Sequence, residues 1–327
     1  MRRDRTGQAP RSSLASDIEM TAWGVLLPTF DPLRTGAGFP VAEGARLAEA
    51  AGFDSVWVGD HLKCPAPVLD ATICLGAAAA VTQRVTLGFS VMLLGLRQSA
   101  WAAKQIATLQ HLSAGRLALG VGVGGEFPQE YAAAEVPLAG RGARLDEALE
   151  HLPTLLAGGG EPMLEPPAPM PPLLVGGRSD RALERAARFA DAWLPMWISP
   201  RTLAQRSERL AELAAARGRR TPRLSLLVLA HVGDDAASAR EQAAAHLQGQ
   251  YGMALEQVER WSAVGTAQAV RDFLVPYTRV GVSEILLLPM GSAPLEQISR
   301  LAEVAQALRS TGQAAAEATG VRSGGTT

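Results

Sequence analysis

Eight short apolar runs, each separated from the next by a helical pattern, constrain this chain more than any single motif does. Trp23–Pro28, Ser55–Val58, Val85–Met92, Leu117–Val121, Leu173–Val175, Ala192–Leu194, Leu224–Ala230 and Glu284–Leu288 read as strands. They are continuous apolar stretches, the pattern of parallel strands buried on both faces. Between and after them lie amphipathic or Ala-rich segments at Val41–Ala51, Asp70–Thr82, Ala100–Leu112, Arg141–Ala157, Asp180–Phe189, Pro200–Arg217, Ala236–Gln248, Ala267–Val280 and Leu295–Leu308. The alternation predicts an α/β protein. Eight repeats with no clear linker favour a closed (β/α)8 TIM barrel over an open doubly wound sheet. The barrel is expected over residues 21–310. The polar segment 1–20 and the small-residue tail 311–327 are expected to be disordered, and Met20 is a candidate alternative start. The proline-dense stretch Gly158–Pro172 and the segment Tyr251–Gly265 read as excursions from the barrel.

One motif competes with that reading. Gly120, Gly122 and Gly125 match G-x-G-x-x-G, the spacing of a dinucleotide-binding turn. That fold demands a helix opening on the third glycine, a returning strand within ~30 residues, and an acidic residue at its end. Here Pro137 and Gly140 interrupt the region, and Asp146 falls inside a helical pattern. The glycines therefore read as the open end of a barrel strand, where bulkier side chains could crowd a ligand.

Composition narrows the class. The 327 residues are 47% hydrophobic and 19% charged, with a net charge of −1. No basic field argues for nucleic acid or an anionic membrane, and no apolar run reaches the ~18 residues of a membrane span. The N-terminus lacks the apolar core of a secretory signal. Two cysteines, Cys64 and Cys74, do not make a disulfide framework, which fits a reducing, cytoplasmic setting. No His/Cys/Asp cluster has metal-ligand spacing, so no metal is expected. Neither the phosphate-loop lysine motif nor G-x-S-x-G is present.

In a (β/α)8 barrel the residues just after each strand line the active-site mouth. Asp60 and His61 follow the second strand. Imidazole exchanges protons near neutrality, which makes His61 the leading candidate for proton transfer. His231 ends the seventh strand and is a weaker candidate. His111, His151 and His246 fall in helical patterns and are expected at the surface. After the fifth strand come Gly176, Gly177, Arg178 and Ser179, then a helix. Glycines permit close backbone approach, helix N-terminal N–H groups receive anions, and Arg178 adds charge, so this turn is a candidate phosphate site. The competing reading is an ordinary turn with a Ser cap. The third strand ends in a long apolar lip, Phe89–Arg97, suited to the face of a flat ring.

Five blocks of the chain, in order, resemble the bacterial-luciferase-like family of flavin- and deazaflavin-dependent enzymes. They are AEAAGFDSVWVGDHL, AAKQIATLQHLSAGRLALGVGVG, GRGARLDEAL, PPLLVGGRSDRALERAARFADAWLP and VGTAQAVRDFL…GVSEILLL. The resemblance implies a barrel with insertions and a reduced cofactor, FMN or the deazaflavin coenzyme F420, across its mouth. It implies that Gly176, Gly177 and Ser179 hold the cofactor phosphate, with Arg178 beside them. Asp60 and His61 would stand near the reactive ring edge. Ser90, Val91 and Met92 would lie under the ring, with a non-prolyl cis peptide at Ser90-Val91. It further implies a small organic substrate and a homodimer. F420-dependent hydride transfer is favoured. The alternatives are an FMN-dependent monooxygenase served by a separate flavin reductase, and a flavin-binding protein without chemistry. Two departures stand out. A proline common near Leu94–Gly95 is absent, and Gly125 stands where sugar-phosphate-oxidising members carry an acid, with Glu126 adjacent.

Overall fold

The computed structural model describes residues 21–36, 38–160 and 163–321, with side chains to Thr311. Segment 1–20 and the end of the tail, 322–327, lie outside the described residues. Strands β1 (Ala22–Leu26), β2 (Ser55–Val58), β3 (Thr86–Met92), β4 (Leu117–Val121), β5 (Leu173–Gly176) and β6 (Ala192–Leu194) pair in chain order, each parallel to the next. The ring continues from β6 to β7 (Arg223–Val232), from β7 to β9 (Glu284–Pro289), and from β9 back to β1. Eight parallel strands thus close a (β/α)8 barrel.

The ninth strand, β8 (Ala263–Gly265), was not legible. It pairs with Ala230, His231 and Val232, the outer end of β7, and stands outside the ring. It belongs to the excursion read at Tyr251–Gly265, and three residues are too few to show a pattern. Because β7 supports both β9 and β8, it runs ten residues, longer than the apolar run alone suggested. A short helix, α4 (Pro128–Ala133), follows β4. The other helices are α1 (Val41–Ala50), α2 (Ala71–Val81), α3 (Ser99–Leu112), α5 (Arg141–Leu156), α6 (Asp180–Phe189), α7 (Pro200–Ala215), α8 (Ala236–Tyr251), α9 (Ala267–Arg279) and α10 (Pro294–Val321). Helix α10 continues past Ser310, where a tail was expected, because the Gln-Ala-Ala-Ala-Glu-Ala run favours helix.

Inside the ring, Leu26, Trp57, Leu174, Leu194, Leu227 and Leu286 form a packed core separate from the one between strands and helices. Trp57 is 1% exposed and fills the centre. A Cβ at Gly88 or Gly24 would overlap its indole, so these strand positions must be glycine for the large ring to fit. The Trp57 indole N–H donates to Ser55 Oγ (2.7 Å), and Ser55 donates to Glu284 (2.6 Å). Burial raises the Glu284 carboxyl above its ordinary pKa. This polar plug closes the N-terminal end of the barrel and leaves the C-terminal end for ligands.

Candidate active site

A cavity of about 350 Å³ opens at the C-terminal ends of the strands. Every barrel strand, or the loop after it, contributes to its wall: Leu26 and Phe30 after β1, Asp60 and His61 after β2, Ser90 and Val91 on β3, and Gly122 and Gly124 after β4. The far side carries residues 176–179, Leu194, Met196, Trp197, Leu227 and Leu288. Of the residues singled out from sequence, the cavity gathers Asp60, His61, Ser90, Val91, Gly176, Gly177, Arg178 and Ser179. Met92 is fully buried in the core instead, and Leu93 takes its place in the wall.

His61 is held from three sides. Its Nδ1 donates to Glu130 Oε2 at 3.1 Å, and the rings of Phe30 and Phe127 meet it edge-on at 6.1 and 5.2 Å. Glu130 is 0% exposed, on α4. With Nδ1 committed, Nε2 is the ring nitrogen left for a reacting group. Sequence reasoning missed Glu130, since a six-residue helix shows no period. The Asp60 carboxylate meets other partners: Leu93 N–H (2.8 Å) and both terminal nitrogens of Arg97 (2.7 and 2.8 Å). These bonds tie the loop after β3 to the end of β2.

The glycines after β4 answer to a neighbour. The Ser90-Val91 peptide is cis, and the β3–β4 register shifts between Phe89 and Met92. A Cβ on Gly122 would overlap the Val91 side chain, one on Gly176 would crowd it, and one on Gly120 would strike the Phe89 carbonyl. The glycine-rich stretch therefore makes room for the Val91 step on the adjoining strand. It shapes the cavity through Val91 more than by direct vacancy.

The turn at 176–179 has the features of an anion receptor. Gly177 sits at φ +106°, a region closed to other residues. Ser179 caps α6, its Oγ accepting from Ala182 N–H (3.2 Å), and the other N–H groups of the first turn have no acceptor within the helix. Arg178 donates to the Trp197 carbonyl (2.9 Å), and its guanidinium lies 5.8 Å from the ring centroids of Trp197 and Trp261. In the wall, Ser90 Oγ is buried without a hydrogen-bond partner among the described residues. A flat, phosphate-bearing ring system fits these residues: glycine and a helix N-terminus at one end, an apolar step with an unpaired hydroxyl beneath, an imidazole opposite.

The two remaining histidines near this end lie outside the cavity wall. His231 is buried, its Nδ1 donating to the Met290 carbonyl (2.8 Å). His246, expected at the surface, is 5% exposed. The Ala-rich helix α8 presents no amphipathic contrast, so its buried face was not marked in the sequence. Among the described residues no group of three or more His, Cys, Asp or Glu could hold a metal ion, and no helix is long and apolar enough to cross a membrane.

An imidazole paired with a buried carboxylate, an apolar step and a capped glycine turn thus surround one mouth of a parallel barrel. The family profile described as luciferase-like monooxygenase matches residues 23–284, and the chain belongs to that family. An uncharacterized protein of Mycobacterium tuberculosis is 29% identical over 266 residues, covering 72% of this chain and 85% of that protein. The F420-dependent glucose-6-phosphate dehydrogenase of Beutenbergia cavernae is 42% identical over 128 residues, about a third of each chain (34% and 35%). A solved F420-dependent secondary alcohol dehydrogenase, in complex with an F420-acetone adduct, superposes with a TM-score of 0.73 at 20% identity, over 87% of this chain and 98% of the other.

Proposed function

We propose that this chain is an F420-dependent oxidoreductase exchanging a hydride with a carbon of a small organic substrate. The observation that carries the proposal is the placement of the His61–Glu130 pair and the 176–179 anion corner in the wall of one cavity. The deazaflavin is preferred over FMN because the relative sharing 42% identity over 128 residues is named F420-dependent.

The chemistry such a cofactor supplies, when bound, is two-electron hydride exchange. The protein's own residues do the rest. Gly176, Gly177 and the capped start of α6 bind phosphate through backbone N–H groups, with Ser179 and Arg178 at the same corner. Val91 and the exposed edge of Ser90 support the ring. His61, fixed by Glu130 and two aromatic edges, accepts or delivers a proton at Nε2. Asp60 acts through Arg97 and Leu93 by holding the loop that walls the cavity. The apolar lining excludes water from the reacting atoms.

Titration of the purified protein with F420 and with FMN, each followed by its own absorbance and fluorescence, tests the reading. Micromolar binding of F420 with much weaker FMN binding is expected. The opposite order turns the reading to an FMN-dependent monooxygenase, and binding of neither removes both.

A further inference from the structure

Trp197 is the most unusual residue of the cavity wall that the preceding roles leave unused. Its φ is +51°, a left-handed conformation that is a genuine outlier for a bulky residue. Its carbonyl is held there by Arg178 (2.9 Å). Its indole Nε1–H is buried and has no hydrogen-bond partner among the described residues, although the residue lines the cavity. Such a strained residue clusters at ligand clamps, and an unpaired buried donor costs free energy unless a ligand meets it.

A second donor stands beside it. The Tyr251 ring meets the Trp197 ring edge-on at 5.9 Å and 70°, and it too lines the cavity. A hydrogen-bond chain fixes the amide of the neighbouring Gln250. Gly291 N–H donates to His246 Nδ1 (3.1 Å), so the His246 ring proton is on Nε2, which donates to Gln250 Oε1 (2.8 Å). The amide nitrogen of Gln250 is then the end turned away from His246, and Gln250 shares the cavity wall with Tyr251. Burial raises the phenol far above its ordinary pKa, so the proton stays on.

The surroundings fix the class of acceptor. Besides Tyr251, the titratable side chains in the wall are Asp60, His61, Glu126 and Arg178, and the one guanidinium among them lies at the anion corner. Among the described residues no lysine and no second arginine lines the wall for a phosphorylated substrate, and Glu126 opposes one. Beside this cavity lies another of about 260 Å³, sharing Leu26, Phe30, Gln250 and Leu288 with it; its wall is mainly apolar, with groups such as Pro28 and Leu295, and carries Asp31 and Glu296 as well. It has room for about nine water-sized groups at ~30 Å³ each.

We propose that Trp197 Nε1–H and Tyr251 O–H form an oxygen-binding subsite for a neutral carbonyl or hydroxyl compound whose apolar body occupies the adjoining cavity. This rests on the cofactor reading of the same mouth. The two donors orient the substrate oxygen, and they select against phosphorylated sugars.

Calorimetric titration with cyclohexanone, 2-decanone and acetophenone, with glucose 6-phosphate as the charged probe, tests it. The protein is loaded with whichever cofactor it binds, and Trp197→Phe and Tyr251→Phe are compared after a check of thermal unfolding. At least one ketone is expected to bind the unaltered protein, with each variant binding it about 3- to 10-fold more weakly. Cofactor affinity is expected to stay within about twofold. Ketone binding unchanged in both variants, binding of glucose 6-phosphate in place of the ketones, or cofactor binding with no ketone binding overturns the subsite. Variants that lose cofactor rather than ketone show the donors serving the cofactor, which also overturns it. If the unaltered protein binds neither F420 nor FMN, the proposed function fails on its own. The same ketone titrations on the cofactor-free protein then judge the subsite: the 3- to 10-fold losses keep it, and their absence ends it.

Discussion

His61 Nδ1 lies 3.1 Å from Glu130 Oε2, although 69 residues separate the two in sequence. A carboxylate with no solvent exposure is thereby spent on orienting one imidazole. The arrangement fixes the tautomer and the ring plane, and leaves Nε2 to the cavity.

His61→Ala is expected to lower turnover by roughly 10²- to 10⁴-fold, the range of a lost general acid or base. Glu130→Gln keeps a hydrogen-bond acceptor but not the charge, and is expected to lower kcat by about 10- to 100-fold with cofactor affinity unchanged. Stopped-flow turnover beside equilibrium cofactor binding separates the two effects. Full turnover in His61→Ala with a native fold removes the residue from proton transfer.

The Asp60–Arg97 pair makes a different prediction. Both side chains are largely buried, at 4% and 19% exposure, and two parallel hydrogen bonds join them. Arg97→Met leaves a buried carboxylate with one backbone N–H, and the expected cost is about 3–5 kcal/mol in urea unfolding. Asp60→Asn combined with Arg97→Met is expected to recover part of that loss. A loss under about 1 kcal/mol, the worth of a surface pair, contradicts the burial argument.

Val91 and Gly122 are coupled across two strands. Gly122→Ala drives a methyl into the Val91 side chain, an overpacking expected to cost about 1–3 kcal/mol. Val91→Ala relieves the overlap, so the double variant is expected to be more stable than the sum of the single effects predicts. Strict additivity in the denaturation midpoints shows that the two side chains do not meet.

Helix α8 carries an acid-sensitive group. Burial, the dominant cause, pulls the His246 pKa from 6.5 down to about 4. The unfolded chain therefore binds the proton first, and its uptake favours unfolding. The neutral, buried histidine contributes fully above pH 6.5, and that stability is lost progressively as pH falls from 6.5 to about 4. The shift corresponds to roughly 3 kcal/mol at most. His231, also lowered chiefly by burial, adds in the same direction. His246→Gln is expected to flatten the stability profile over that interval, measured as the urea midpoint against pH. A profile of unchanged slope assigns the acid sensitivity elsewhere.

The barrel was legible because its strands are buried on both faces and so spell unbroken apolar runs. The turn at 176–179 was legible as a glycine turn into a Ser-capped helix because its four residues follow one another in the chain. Glu130 was not, since its function depends on a contact with His61 that no local pattern encodes. The glycines after β4 were legible as open space but not as the seat of Val91, whose strand is a neighbour only once the barrel closes. His246 was misplaced because alanine lines both the buried and the exposed faces of α8, leaving no contrast to read. For Glu130 and the glycines the missing information is a long-range contact, and for His246 it is a contrast that the helix does not carry.

The anion corner offers a substitution that separates folding from binding. Ser179 Oγ accepts from Ala182 N–H and caps α6. Aspartate is an equally good N-cap, and its charge is favourable at a helix N-terminus, so Ser179→Asp is expected to fold with the thermal stability of the unaltered protein. The same carboxylate stands where a cofactor phosphate is proposed to sit and competes for the N–H groups that would receive it. Affinity for the phosphate-bearing cofactor is therefore expected to fall by more than about tenfold, or over 1.4 kcal/mol. Ser179→Ala is the control: it weakens the cap by about 1 kcal/mol and leaves the anion corner open, so it affects stability more than binding. Fluorescence titration of both variants with F420 and FMN decides the matter. If Ser179→Asp binds as tightly as the unaltered protein, the phosphate lies elsewhere along the mouth.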